Sequence, residues 1–272
     1  MENRKFISVC LYLFLIISLS CSAQNTNFTL TYYEDTLKKL APKILNSKVD
    51  REKYNANEKF TETLEIALNT ENSFEYPFDS LITIARLTAP DKSFRIFNWN
   101  LPRADGTFEY FGFIQTFHKK SNTYKLYRLT DRLSQITSPE DQILDKDEWY
   151  GAHYYKIILN KHKEKKYYTL LGWDGNDRLT TRKIIDVLYF PHESKPKFGT
   201  QIFDMGKTVK KRMIFEFSEQ VTMSVRYDED KKLIIFDHLS PPEPSLEGQY
   251  QYYGPDGVYN ALKFREYVSS VN

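Results

Sequence analysis

Trp173-Asp174-Gly175-Asn176-Asp177 is the densest run of ligand-capable side chains in the sequence. Asp174, Asn176 and Asp177 offer oxygens to a hard cation such as calcium, and Trp173 offers a surface on which a ligand can stack. An EF-hand loop would add acidic residues at alternate positions and a closing glutamate, and neither is present. Asp-Gly and Gly-Asn also accept positive φ, so a tight turn is the plainest reading of this loop. With the turn goes a weaker expectation that Trp173, Asp174, Asn176 and Asp177 touch a ligand.

Other chemistries leave less trace. His118, His153, His162, His192 and His238 are scattered, with no His-x-His or His-x-x-x-His spacing to suggest zinc. No Gly-x-Ser-x-Gly elbow and no glycine-rich phosphate loop occurs. Asp91, Glu109, Asp174 and Asp186 are carboxylates of the kind a glycosidase sets across a cleft, but sequence pairs none of them. No catalytic residue and no metal ligand are assigned. Phe97, Trp99, Phe108, Tyr110, Phe111, Phe113 and Phe117 crowd two neighbouring strands, and alternation divides them between two faces. An open face would suit a sugar or peptide, with Trp99 as a contact. If both faces are covered, the same rings are core.

These side chains must be positioned by β structure. Four segments joined by polar turns, 81–87, 94–99, 108–117 and 124–129, predict an antiparallel meander. Further strands are expected at 154–159, 167–171, 184–190, 198–204, 211–217, 221–227 and 232–238, with a last hairpin turning at Pro255-Asp256-Gly257. Ser138 should cap a short helical turn with Pro139 at its first position. Ahead of the strands, Tyr33, Leu37, Leu40 and Ile44 form one amphipathic stripe, expected to kink or end near Pro42. Tyr54, Asn57, Phe60, Leu64, Ala67 and Leu68 form a second stripe, with Asp50 as its N-cap. The expected fold is mainly β, an antiparallel meander of about a dozen short strands as a sandwich, open barrel or propeller-like array, with a small N-terminal helical segment. The expected divisions are 1–23, 24–74 and 75–272.

Residues 1–23 read as an export signal. Arg4 and Lys5 precede an apolar run from Phe6 to Leu19, too short to span a bilayer as a helix, and Ser20-Cys21-Ser22-Ala23 suits cleavage between Ala23 and Gln24. Cleavage before Cys21, with lipid on its sulfur, is the alternative. Both cysteines, Cys10 and Cys21, lie in this segment, so the processed chain would have no disulfide or thiolate chemistry. The chain carries 38 Lys and Arg against 36 Asp and Glu. That balance gives no electrostatic reason to expect nucleic acid.

The segments 87–99, Leu171-Gly172-Trp173-Asp174-Gly175-Asn176 and Tyr253-Gly254-Pro255-Asp256-Gly257 resemble parts of uncharacterised exported proteins of Bacteroidetes, as does the Ser22-Ala23-Gln24 ending of the signal. The resemblance implies an exported location and transfers no catalytic residue. The expectation is a periplasmic or secreted cell-envelope protein, with an outer-membrane lipoprotein as alternative and no transmembrane span in the processed chain. It would act as a non-catalytic binding or structural module for a protein or carbohydrate ligand. A metal- or carboxylate-dependent hydrolase of envelope polymers, with Asp174 and Asp177 as first suspects, is the alternative. No cofactor beyond calcium is suggested.

Overall fold

The computed structural model describes residues 29–118, 123–162, 164–191, 195–201, 203–204 and 209–263. The expected export signal, with Cys21, Ala23 and Gln24, lies outside them, as does His192. Helix α1 covers 29–46 and helix α2 covers Asp50–Asn69. The strands are β1 Ala85–Thr88, β2 Phe94–Pro102, β3 Phe108–His118, β4 Thr123–Thr130, β5 Leu144–Asp145, β6 His153–His162, β7 Lys165–Asp174 and β8 Thr180–Tyr189. They continue as β9 Lys197–Phe198, β10 Phe203–Asp204, β11 Val209–Lys210, β12 Met213–Ser218, β13 Val225–Asp228, β14 Leu233–Ser240 and β15 Gly254–Lys263. The fold is mainly antiparallel β with a helical N-terminal segment.

Strand alternation dictates a layered sandwich. The meander β1-β2-β3-β4 forms a four-stranded sheet, and β5-β9-β8-β7-β6, with β12 on β8, forms a six-stranded one. Along β2, Phe94 and Ile96 point one way and meet Tyr154, Tyr168, Leu170 and Ile184 of the six-stranded sheet. Phe97, Trp99 and Leu101 point the other way and meet Leu37, Phe60 and Leu64 of the helices. The outer face of the six-stranded sheet carries Leu171, Ile185, Val187 and Phe217, which the sheet β13-β14-β15 covers with Val225, Ile234 and Phe236. Layers therefore run helices, four strands, six strands, three strands. Each fully buried aliphatic or aromatic side chain in them contributes about 2 kcal/mol of transfer free energy. Among the described residues, no helix is long and apolar enough to cross a membrane.

Local signals fail where tertiary partners compete. Pro42 does not end α1, which runs on to residue 46. Its ring deprives the Lys38 carbonyl of a donor, but both residues are exposed, so water can take that role. Asp50 is not a cap: Val49 holds the N-cap position without a side-chain bond. The Asp50 carboxylate instead accepts the Ala104 N–H at 3.0 and 3.1 Å and pairs with Lys53 at 3.6 Å. Ser138 likewise makes no capping bond and sits left-handed at φ 51°, although Pro139 does open a short 3-10 turn. Ile82 lies in a turn and is 84% exposed, so the first strand begins at Ala85, four residues later than the expected 81–87. Pro255-Asp256-Gly257 makes no hairpin, because all three residues belong to β15, which bulges over 256–258 opposite His238 of β14.

Candidate binding cleft at one end of the sandwich

Antiparallel pairing brings the start of β3, the end of β4, the end of β7 and the start of β8 to the same end of the two central sheets. There a cleft of about 1090 Å³ opens, lined among others by Phe108, Tyr110, Asp131, Tyr150, Arg182 and Glu216. The segment 133–141 forms its rim.

Its floor is a buried polar network centred on Asp174, which is 1% exposed. The Tyr110 hydroxyl donates to Asp174 Oδ1 at 2.9 Å and accepts the Gly175 N–H at 2.7 Å. The Tyr150 hydroxyl and Arg182 Nη1 each reach Asp174 Oδ2 at 3.3 Å, and the Asn176 N–H reaches Oδ1 at 2.9 Å. Burial, with the Asp174 charge behind it, pushes both phenols well above the usual tyrosine range, so they stay protonated donors. Arg182 Nε then bonds Glu216 Oε2 at 2.8 Å, and Glu216 Oε1 accepts the Thr180 hydroxyl at 2.8 Å.

Asp131 stands at the wall of the cleft. Its oxygens accept the N–H groups of Tyr110 at 3.0 Å and Leu133 at 2.9 Å. Residue 151 must be glycine for this approach, since a Cβ there would stand 2.5 Å from the Asp131 carboxyl carbon. Burial, helped by the nearby Asp174 charge, raises Asp131 to about 6, against backbone bonds that pull it down. A carboxyl raised on folding supports the fold below its unfolded value of 3.8 and loses that support as pH rises through about 6. We expect Asp131→Asn to remove about 2 kcal/mol of this pH dependence between pH 4 and 7. Denaturant midpoints of both proteins across that range would show it; parallel curves would contradict it.

The loop 173–177 separates this cleft from a smaller one of about 480 Å³, lined by Phe108, Trp173, Asp177, Lys183 and Val221 among others. Trp173 is half-buried; its Nε1 donates to the Thr181 hydroxyl at 2.7 Å and its ring meets Phe108 edge-on at 5.3 Å. Asp177 Oδ1 accepts the N–H groups of Leu179 at 2.8 Å and Thr180 at 2.9 Å, as a turn-forming aspartate does. Asn176 is left-handed at φ 51°, and its amide donates to the Thr180 hydroxyl at 2.6 Å. The loop is thus a turn held by its own carboxylates, and no group of three His, Cys, Asp or Glu suited to a metal occurs among the described residues.

Of the expected ligand contacts, Asn176 lines the larger cleft, while Trp173 and Asp177 line the smaller. Asp174 lies beneath the floor, out of reach of a ligand. Trp99 is corrected outright: it is 1% exposed, roofed by the helices, and its Nε1 donates to Asn57 Oδ1 at 2.7 Å. Apart from Phe108, which lines both clefts, the aromatic strip of β2 and β3 is core because helices cover one face and the six-stranded sheet the other. Asp131, Tyr150, Arg182 and Glu216 escaped sequence reasoning because four separate segments supply them. The bulky-small run Trp149-Tyr150-Gly151-Ala152 was the one local sign of a crowded site.

Comparison of the chain with protein-family models, with curated proteins and with solved structures finds no match.

Proposed function

We propose that this chain is an exported cell-envelope protein that binds a carbohydrate in the cleft as a non-catalytic module. One observation carries the ligand class: five of the eight charged side chains lining the larger cleft are ion-paired beside aromatic rings, and the other three, Arg128, Asp131 and Asp141, are of mixed sign. Arg182 pairs with Glu216 at 2.8 Å, Arg103 with Glu109 at 3.6 Å, and Glu140 with Lys210 at 2.5 Å. A wall of fixed donors and acceptors with little net field suits an uncharged polyhydroxylated ligand, whose C–H faces pack on rings and whose rim forms hydrogen bonds. A concave site also fits a saccharide better than a flat protein partner. The export signal read in residues 1–23 supports an envelope location, and the motif resemblance to exported Bacteroidetes proteins agrees with it.

The three tryptophans make the test direct. Trp99 and Trp149 are 1% and 0% exposed, so only Trp173 should be open to acrylamide quenching. Trp173 lies on the smaller cleft, but its ring meets Phe108 of the larger cleft at 5.3 Å, so titration with a panel of peptidoglycan fragments and neutral oligosaccharides should shift that emission with saturation, and Trp173→Phe should abolish the signal. The reading fails if calorimetry detects no saccharide binding across the panel.

A second reading, carboxylate-based hydrolysis, is favoured by the raised Asp131 and the ion-paired Glu216, which line one cleft. It moves the suspicion from Asp174 and Asp177 to residues that line the larger cleft. Release of reducing ends that Asp131→Asn abolishes would establish it, and undigested oligosaccharide after prolonged incubation would dismiss it.

A further inference from the structure

Phe108 belongs to both clefts. It lines the larger one beside Tyr110 and the smaller one beside Trp173. Its ring also lies over residue 175, where a Cβ would come within 2.2 Å of it, so glycine at 175 lets the ring bridge the two spaces. The surrounding loops are tied together. Arg178 Nη2 donates to the Ala104 carbonyl at 2.6 Å and Nε to the Asp105 carbonyl at 2.9 Å, across the two strand-connecting loops. The wall between the clefts is therefore a fixed aromatic ridge of Phe108 and Trp173.

Volumes of about 1090 and 480 Å³ together exceed the ~300–1,000 Å³ of a single small-ligand pocket. Resting on the carbohydrate reading above, we infer that the two clefts are successive subsites for one linear oligosaccharide, which crosses the Phe108–Trp173 ridge. The larger cleft holds one end through its paired polar wall, and the smaller holds units that stack on Trp173. Occupying both by one chain makes the second contact intramolecular, so affinity grows with chain length until both are filled.

Calorimetry with chito-, cello-, xylo- and malto-oligosaccharides of two and six units tests this. In the series that binds, the hexasaccharide should bind about tenfold tighter or more than the disaccharide, equivalent to ~1.4 kcal/mol. Trp173→Ala should bring that ratio close to one, and Trp173→Phe should restore much of it. Val221→Trp, at a position 39% exposed on the smaller cleft, should block that subsite and lower the ratio without touching the core. Equal affinity for both lengths, or a ratio unmoved by Trp173→Ala and Val221→Trp in folded protein, overturns the shared-groove inference alone. Absence of binding by every series removes the carbohydrate reading and this inference with it.

Discussion

Replacing Arg212 by methionine is expected to cost about 3–5 kcal/mol, enough to unfold much of the protein in mild denaturant. Arg212 and Asp186 are both 0% exposed and lie 3.2 Å apart between the central sheets. Asp186 also accepts the Val187 N–H at 2.8 Å and the Tyr154 hydroxyl at 3.4 Å, while that hydroxyl accepts Trp149 Nε1 at 3.1 Å. Removing the guanidinium leaves a carboxylate buried without its counter-charge, which is the expensive half of breaking such a pair. Arg212 Nη1 also donates to the carbonyls of Pro139 and Gln142, pinning the rim of the larger cleft to the sheet. Urea unfolding of Arg212→Met and of the double variant Arg212→Met/Asp186→Leu measures this. The double variant should be more stable than the single one. If Arg212→Met unfolds like wild type, the buried pair does not hold the two sheets together.

Asp174→Ala is expected to lower stability by about 3 kcal/mol, which for a chain of this size is a fall of about 10 °C in the thermal midpoint. The change strands two buried hydroxyls and the Asn176 N–H, and it leaves Arg182 to Glu216 alone. Asp174→Asn, which keeps an acceptor oxygen but loses the charge, should fall between. This ordering separates a structural hub from a catalytic carboxylate, because a catalyst can be removed with the fold intact. Calorimetric melting of the two variants decides it, and a wild-type midpoint for Asp174→Ala would refute the hub.

Much of the fold was legible because strands covered on both faces read as short apolar and aromatic runs, broken here by polar turns. Along β2, Phe94 and Ile96 alternate with Phe97, Trp99 and Leu101, and the pattern alone predicts strand and meander. It does not say what lies over each face, so Trp99 could be read as an exposed platform until the helices are placed above it. The 173–177 turn was legible for the same local reason, since Asp177 bonds residues two and three positions on. The cleft was not. Tyr110, Asp131, Tyr150, Arg182 and Glu216 meet only because the two sheets stack with their β3, β4, β7 and β8 ends in common, and no spacing along the chain encodes that. Asp50 shows the same limit at small scale: a favourable cap residue was drawn away by the Ala104 N–H, a partner distant in sequence.

Hydrogen exchange of the protein, free and saturated with the tightest-binding hexasaccharide, tests the binding account most directly. The account predicts slowed exchange confined to the cleft segments 107–111, 128–141, 150, 173–183 and 214–223, with α2 and β15 unchanged. Protection on β15 or the helices instead, or none at saturating saccharide, would contradict it.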